Sequence, residues 1–163
     1  MAADSSDIRI ATASDLRYFV EILSEDLDAD ELTDARNTVT REFLEIGSNR
    51  DIYILFQESA PLAVVQVILN HADDDPDLAD GRTTAHIHHL RVRKQHRRLG
   101  IGRQLMSDIE SRYREHGFRQ LTLGVDNWND PAIRFYNSLG YRVFKTEAGR
   151  TPDEIVFYMR KEL

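Results

Sequence analysis

Residues 85–106 constrain this chain more than any other stretch. They read as a β-strand, then a basic turn with two closely spaced glycines, Gly100 and Gly102, then an amphipathic helix. The helix carries Ile101, Leu105, Ile109 and Tyr113 at helical spacing and stops at Gly117, a natural C-terminal cap position. Residues 120–125 form the next strand. Two strands joined through a helix run parallel in one sheet.

The flanking sequence supplies the other elements. Residues 8–11 form a short strand. Thr12, with Asp15 three residues on, opens a helix in capping-box fashion, and Leu16, Phe19, Val20, Leu23 and Leu27 follow at helical spacing. A second helix presents Leu32, Ala35, Val39, Phe43 and Ile46 and ends near Gly47. Residues 51–57 and 62–69 are strands joined by a turn at Ser59-Ala60-Pro61. Residues 73–80 form an acidic loop. Asp130 before Pro131 marks a capped helix start, and that helix stops at Gly140. Residues 141–145 and 155–160 close the chain as strands. The order β-α-α-β-β-β-α-β-α-β-β predicts an α/β fold: a mixed, mostly antiparallel central sheet flanked by about four helices.

Composition narrows the chemistry. The chain has 163 residues and no cysteine, which excludes disulfides, zinc–thiolate sites and cysteine nucleophiles. The first residues carry neither a basic segment nor an apolar core, and no apolar run approaches a membrane span, so a cytoplasmic protein without membrane contact is expected. The net charge of −7 argues against nucleic-acid binding. The basic cluster at 91–103 is a local exception, suited to a small anionic ligand. Glycine lets the main chain turn tightly, the first N–H groups of the helix lack intrahelical partners, and the helix dipole adds positive potential there. Arg97, Arg98 and Arg103 can add charge-assisted hydrogen bonds, or can simply be solvated. The glycine spacing fits neither a Rossmann fingerprint nor a P-loop.

A second motif runs from Val125 through Asn129, Ala132, Phe135 and Tyr136 to Gly140-Tyr141. Tyr136 lies one position beyond Phe135 on the helix, turned about 100° from it. It either emerges at the edge of the core or remains a core aromatic with a satisfied hydroxyl. In the strand, His86 and His88 share one face and His89 points to the other. Three roles stay open for these histidines: general base, structural hydrogen bonding within the sheet, or metal ligation. No third ligand is marked for a metal.

Taken together, Leu90-x-Val92, Arg97-x-x-Gly100-x-Gly102 and Asn129…Ala132…Tyr136…Gly140-Tyr141 resemble the two core motifs of the Gcn5-related N-acetyltransferase superfamily, over essentially the whole chain. The resemblance implies a single N-acetyltransferase domain over residues 1–163, with residues 1–6 flexible. It implies direct transfer of an acetyl group from acetyl-CoA to an amine in a ternary complex, without a metal. The backbone of Leu90, Arg91 and Val92 would pair with the pantetheine arm. The amides of Arg98, Leu99, Gly100, Ile101, Gly102 and Arg103, with Arg97, would hold the pyrophosphate. Asn129 would lie near the pantetheine or the thioester, and Tyr136 would protonate the departing sulfur. Within the superfamily, serotonin N-acetyltransferase carries His-x-His at the same offset before Leu-x-Val, so His86 and His88 inherit proton removal. A homodimer is compatible with this reading. The alternative is a non-catalytic acyl-CoA-binding or sensor module. The acidic segments 25–31 and 73–80 either line an acceptor rim that attracts a cationic amine or are solvated loops.

Overall fold

Seven strands and four α-helices are formed by the described residues, 6–163, of this computed structural model. Residues 1–5, most of the stretch expected to be flexible, lie outside the described residues. The elements are β1 (Ser6–Ile10), α1 (Leu16–Ser24), α2 (Ala29–Phe43), β2 (Arg50–Gln57), β3 (Ala60–Ile68), β4 (Thr84–Val92), α3 (Ile101–Glu115), β5 (Gln120–Asp126), α4 (Asp130–Ser138), β6 (Arg142–Ala148) and β7 (Ile155–Glu162). The strands hydrogen-bond in the order β1-β2-β3-β4-β5-β7-β6. β4 and β5 pair in parallel from Thr84↔Gln120 to Ile87↔Leu123, as the helical connection requires. β1 with β2, β5 with β7, and β6 with β7 are antiparallel.

Local chemistry sets the element ends, and it moves several of them. Thr12 caps a short 3₁₀ turn, Ala13–Asp15, and α1 starts only at Leu16. Asp28 caps α2 by accepting from the Asp30 and Glu31 N–H groups, while the Glu31 carboxylate accepts from the Asp28 N–H. The second helix ends at Phe43, short of Gly47, so Ile46 lies beyond it. The β2–β3 turn is Glu58-Ser59, both left-handed at φ 49° and 69°, and Ala60-Pro61 already belong to β3. Asn129, not Asp130, caps α4: its side-chain oxygen accepts from the Ala132 N–H at 3.3 Å, and Asp130 occupies the first helical position. Tyr141 precedes β6 instead of opening it. At φ 97°, Gly140 turns the chain out of α4, and the Tyr141 N–H closes on the Tyr136 carbonyl at 3.0 Å.

The chain forms two compact units. The first takes the chain up to Val67 and resumes for His89–Ile109; the second takes Ile68–His88 and Glu110–Leu163. In the first, Phe19, Ile22 and Leu23 of α1 and Val39 and Phe43 of α2 bury against Ile52, Ile54 and Val64 of β2 and β3. Phe19, Leu23, Val39 and Phe43 belong to the stripes that the helical spacing marks, but on α1 it is Ile22, not the half-buried Val20, that joins this core. In the second, Ala72, Leu78 and Ala79 of the acidic segment are themselves core and pack with Ile68 and Tyr158. The segment 73–80 is therefore anchored by its apolar residues. Gly124 of β5 lies opposite Tyr158, and a Cβ built there would sit 3.2 Å from the Tyr158 ring. The missing side chain is what admits that ring.

Candidate active site

In the first unit, β4 ends at Leu90, Arg91 and Val92 and leads into the basic turn. Arg98 and Gly100 are both left-handed, at φ 63° and 84°. Left-handed residues beside a helix start make a concavity of N–H groups suited to an anion. A Cβ built on Gly100 would meet nothing within 4 Å, so the backbone there is open to approach. The first hydrogen bond of α3 runs from the Gln104 N–H to the Gly100 carbonyl at 2.9 Å. An α-helix leaves the amides ahead of that bond, those of Ile101 and Gly102 among them, without intrahelical acceptors. Leu99 is 69% exposed and Arg103 is exposed in the first turn of α3.

Arg97 is not aimed solely at a ligand. It donates to the Val92 carbonyl at 2.9 Å and pairs with Asp26 at 2.6 Å. Arg93, unmarked by the sequence reading, is the hub of the turn. It donates to the Pro61 carbonyl at 2.7 Å, to Glu25 at 3.1 Å and to Glu21 at 2.6 Å. Within the segment 25–31, Glu25 and Asp26 bind this turn, and Asp28 and Glu31 form the α2 cap.

His89 departs from strand alternation. Its φ is 49°, a left-handed value uncommon for a non-glycine residue, so the regular two-residue period that turns it away from His86 and His88 does not hold there. Its ring meets Phe19 edge-on at 6.5 Å, and one ring nitrogen lies within 4.8 Å of a Glu42 carboxylate oxygen. Burial, and then the charges of Arg91 and Arg50, push its pKa down to about 4. Glu42 is held from behind by Gln66, which donates to it at 2.7 Å, and Gln66 in turn accepts from Arg50. Burial raises the Glu42 carboxyl above the usual range against the pull of Gln66 and Arg50.

In the second unit, His86 is buried and His88 half-buried, with ring centroids 6.4 Å apart. The Thr122 hydroxyl donates its one proton to the Leu78 carbonyl at 2.7 Å. Toward His86 Nδ1, at 2.8 Å, it can only accept. This network assigns the neutral imidazole as the Nδ1–H tautomer, which puts the lone pair on Nε2. Tyr136 is half-buried on α4, its ring 5.1 Å from Phe135 and 5.9 Å from Tyr141. Tyr141 is fully buried and donates to Glu110 at 3.2 Å, and Lys161 pairs with the same carboxylate at 2.6 Å. Burial, reinforced by Glu110, raises the Tyr141 hydroxyl far above the tyrosine range. Nearby, Tyr158 donates to Asp73 at 3.4 Å, and Lys145 pairs with Asp75. Burial weighs on Asp80, but hydrogen bonds from the Thr84, Thr83 and Arg82 N–H groups outweigh it and lower its pKa. Most of the second acidic segment is thus bound into its own unit.

The profile of the acetyltransferase (GNAT) family matches residues 16–141, and the chain belongs to that family. A mycothiol acetyltransferase of Thermobifida fusca is 31% identical over 84 residues; these span 50% of this chain and 26% of that protein. The chain therefore matches about a quarter of that relative's length. Among solved structures, the ribosomal-protein-S18-alanine N-acetyltransferase of Escherichia coli superposes with a TM-score of 0.72 at 21% identity, over 97% of this chain and 94% of that one. PaiA N-acetyltransferase of Thermoplasma acidophilum, solved with coenzyme A, superposes with a TM-score of 0.73 at 16% identity, over 98% and 99%. These likenesses establish the fold: an α/β domain with a seven-stranded sheet and four helices. No helix among the described residues is long and apolar enough to cross a membrane.

Proposed function

We propose that this chain is an acetyl-CoA-dependent N-acetyltransferase that moves the acetyl group directly to an amine. The open backbone at Gly100, at the start of α3, carries the reading. It suits a pyrophosphate, and membership of an acetyltransferase family supplies the donor's chemical class. In this scheme the amine nitrogen attacks the thioester carbonyl. A carbon–nitrogen bond forms, the carbon–sulfur bond breaks, and coenzyme A leaves as thiolate. Tyr136 gives the thiolate its proton, since a phenol remains protonated at neutral pH. His86 or His88 takes the proton from the amine. For His86 the acceptor atom is Nε2, because Nδ1 is held by Thr122. Holding both reactants together removes much of the entropic barrier.

The acceptor in this scheme is an amine. The test is a free-thiol assay with acetyl-CoA across amines, amino acids and basic peptides. Thiol release that depends on an added amine supports transfer. Acetyl-CoA binding with no acceptor-dependent release across the panel would identify a sensor module instead.

A further inference from the structure

We infer that Glu25, at the end of α1, is a positioning residue for the anion-binding turn. This rests on the cofactor reading above. Three observations in the first unit carry it. The Glu25 carboxylate uses both oxygens on the turn: one accepts from the Arg93 guanidinium at 3.1 Å and the other from the Lys94 main-chain N–H at 2.8 Å. Arg93 is mostly shielded, its side chain 14% exposed, and it is fixed on its other sides by Glu21 and by the Pro61 carbonyl. Its own N–H donates to the Leu62 carbonyl at 2.9 Å. The start of the turn is therefore fastened to β3 and to α1 before the chain reaches Arg98 and Gly100. Asp26 is a different case. It pairs with Arg97, whose side chain is 39% exposed, and such exposed pairs contribute little.

The amides that would face the pyrophosphate belong to residues 98–102, a few positions past the anchored pair. Backbone donors bind an anion well only when they are already aimed. A charge-assisted hydrogen bond to a main-chain N–H fixes that aim without touching the ligand. Glu25 thus sets the affinity for the phosphate-bearing half of the cofactor and leaves the pantetheine half alone.

The experiment compares coenzyme A with pantetheine, which lacks the pyrophosphate, on the full chain by titration calorimetry or NMR. Glu25→Ala should weaken coenzyme A about tenfold, the size of one lost hydrogen bond to a charged group. Pantetheine binding should stay within twofold of wild type. Glu25→Gln keeps an acceptor for the Lys94 N–H and should recover part of the loss. If Glu25→Ala does not fold, Glu25→Gln carries the comparison, with a smaller loss confined to coenzyme A. Equal weakening of both ligands, or no change in coenzyme A binding, would overturn the inference. Failure of the wild-type protein to bind coenzyme A at all would overturn the cofactor reading, and this inference with it.

Discussion

At Tyr136 the hydroxyl is separable from the ring. The ring packs on Phe135 and Tyr141, so Tyr136→Phe keeps the packing and removes only the proton donor. The variant should lower kcat by about 10²- to 10⁴-fold, with acetyl-CoA affinity nearly unchanged. Steady-state kinetics beside calorimetry checks this, and unchanged turnover would remove Tyr136 from the mechanism. Thr122 offers a test of the base without touching a histidine. Thr122→Val deletes the oxygen that holds His86 Nδ1, freeing the tautomer. If His86 is the base, kcat/KM at neutral pH should fall about tenfold or more and the acidic limb of its profile should move. A wild-type profile would leave His88 as the candidate. His89 makes a prediction about stability. Its folded pKa, about 4, lies below its ordinary value of 6.5, so the unfolded chain binds more protons between the two. The stabilising contribution is complete above about 6.5 and is lost as pH falls toward 4. His89→Asn tolerates the left-handed backbone and does not titrate there. The difference in melting temperature between wild type and variant should therefore narrow or reverse across that window. A constant difference would contradict the half-buried, neutral imidazole.

The turn between β4 and α3 is the element on which the proposed cofactor binding rests. Gly100→Glu puts a side chain into open space that an anion would need, adds negative charge, and strains a left-handed backbone. The folded variant should show no shift in melting temperature with acetyl-CoA; a full shift would mean that the cradle lies elsewhere. This turn was readable in the sequence because its signals are local: two glycines, a basic run and the start of a periodic helix. The crossover from β4 to β5 and the glycine stops after α3 and α4 were readable for the same reason. What escaped the reading has physical causes. Glu58-Ser59 makes a hairpin turn without the glycine or asparagine that usually marks one. Asn129 and Asp130 are both good caps, and adjacent candidates cannot be ranked by composition. The kink at His89 leaves no trace in an otherwise regular strand pattern. Glu25 and Asp26 bind partners 69 and 71 positions away, and pairs so distant obey no period. They read as part of an acidic rim, whereas they fasten the basic turn.

Charge at the level of the whole molecule bears on how the cofactor is recognised. A chain with net charge −7 binding a polyanion needs local compensation. Two sources could supply it: mobile arginine side chains, or fixed amide dipoles at the start of α3. Arg93 and Arg97 are already paired with Glu21, Glu25 and Asp26, which favours the amides. Screening acts strongly on exposed charges and weakly on dipoles in hydrogen-bond contact. The Kd for coenzyme A should therefore rise only a few-fold between low salt and about 0.5 M. A rise of about a hundredfold or more would return the main role to arginine charge.

Trp128 gives all of this an optical handle. It is the only tryptophan of the chain, it is 65% exposed, and it directly precedes Asn129 in the connection from β5 to α4. Its emission reports one location without labelling, and an exposed indole emits at the long-wavelength end of the protein range. Ligand arriving at the start of α4 would alter the solvation of that indole. The chain's own fluorescence can thus test in real time, in native protein, whether a ligand reaches Asn129.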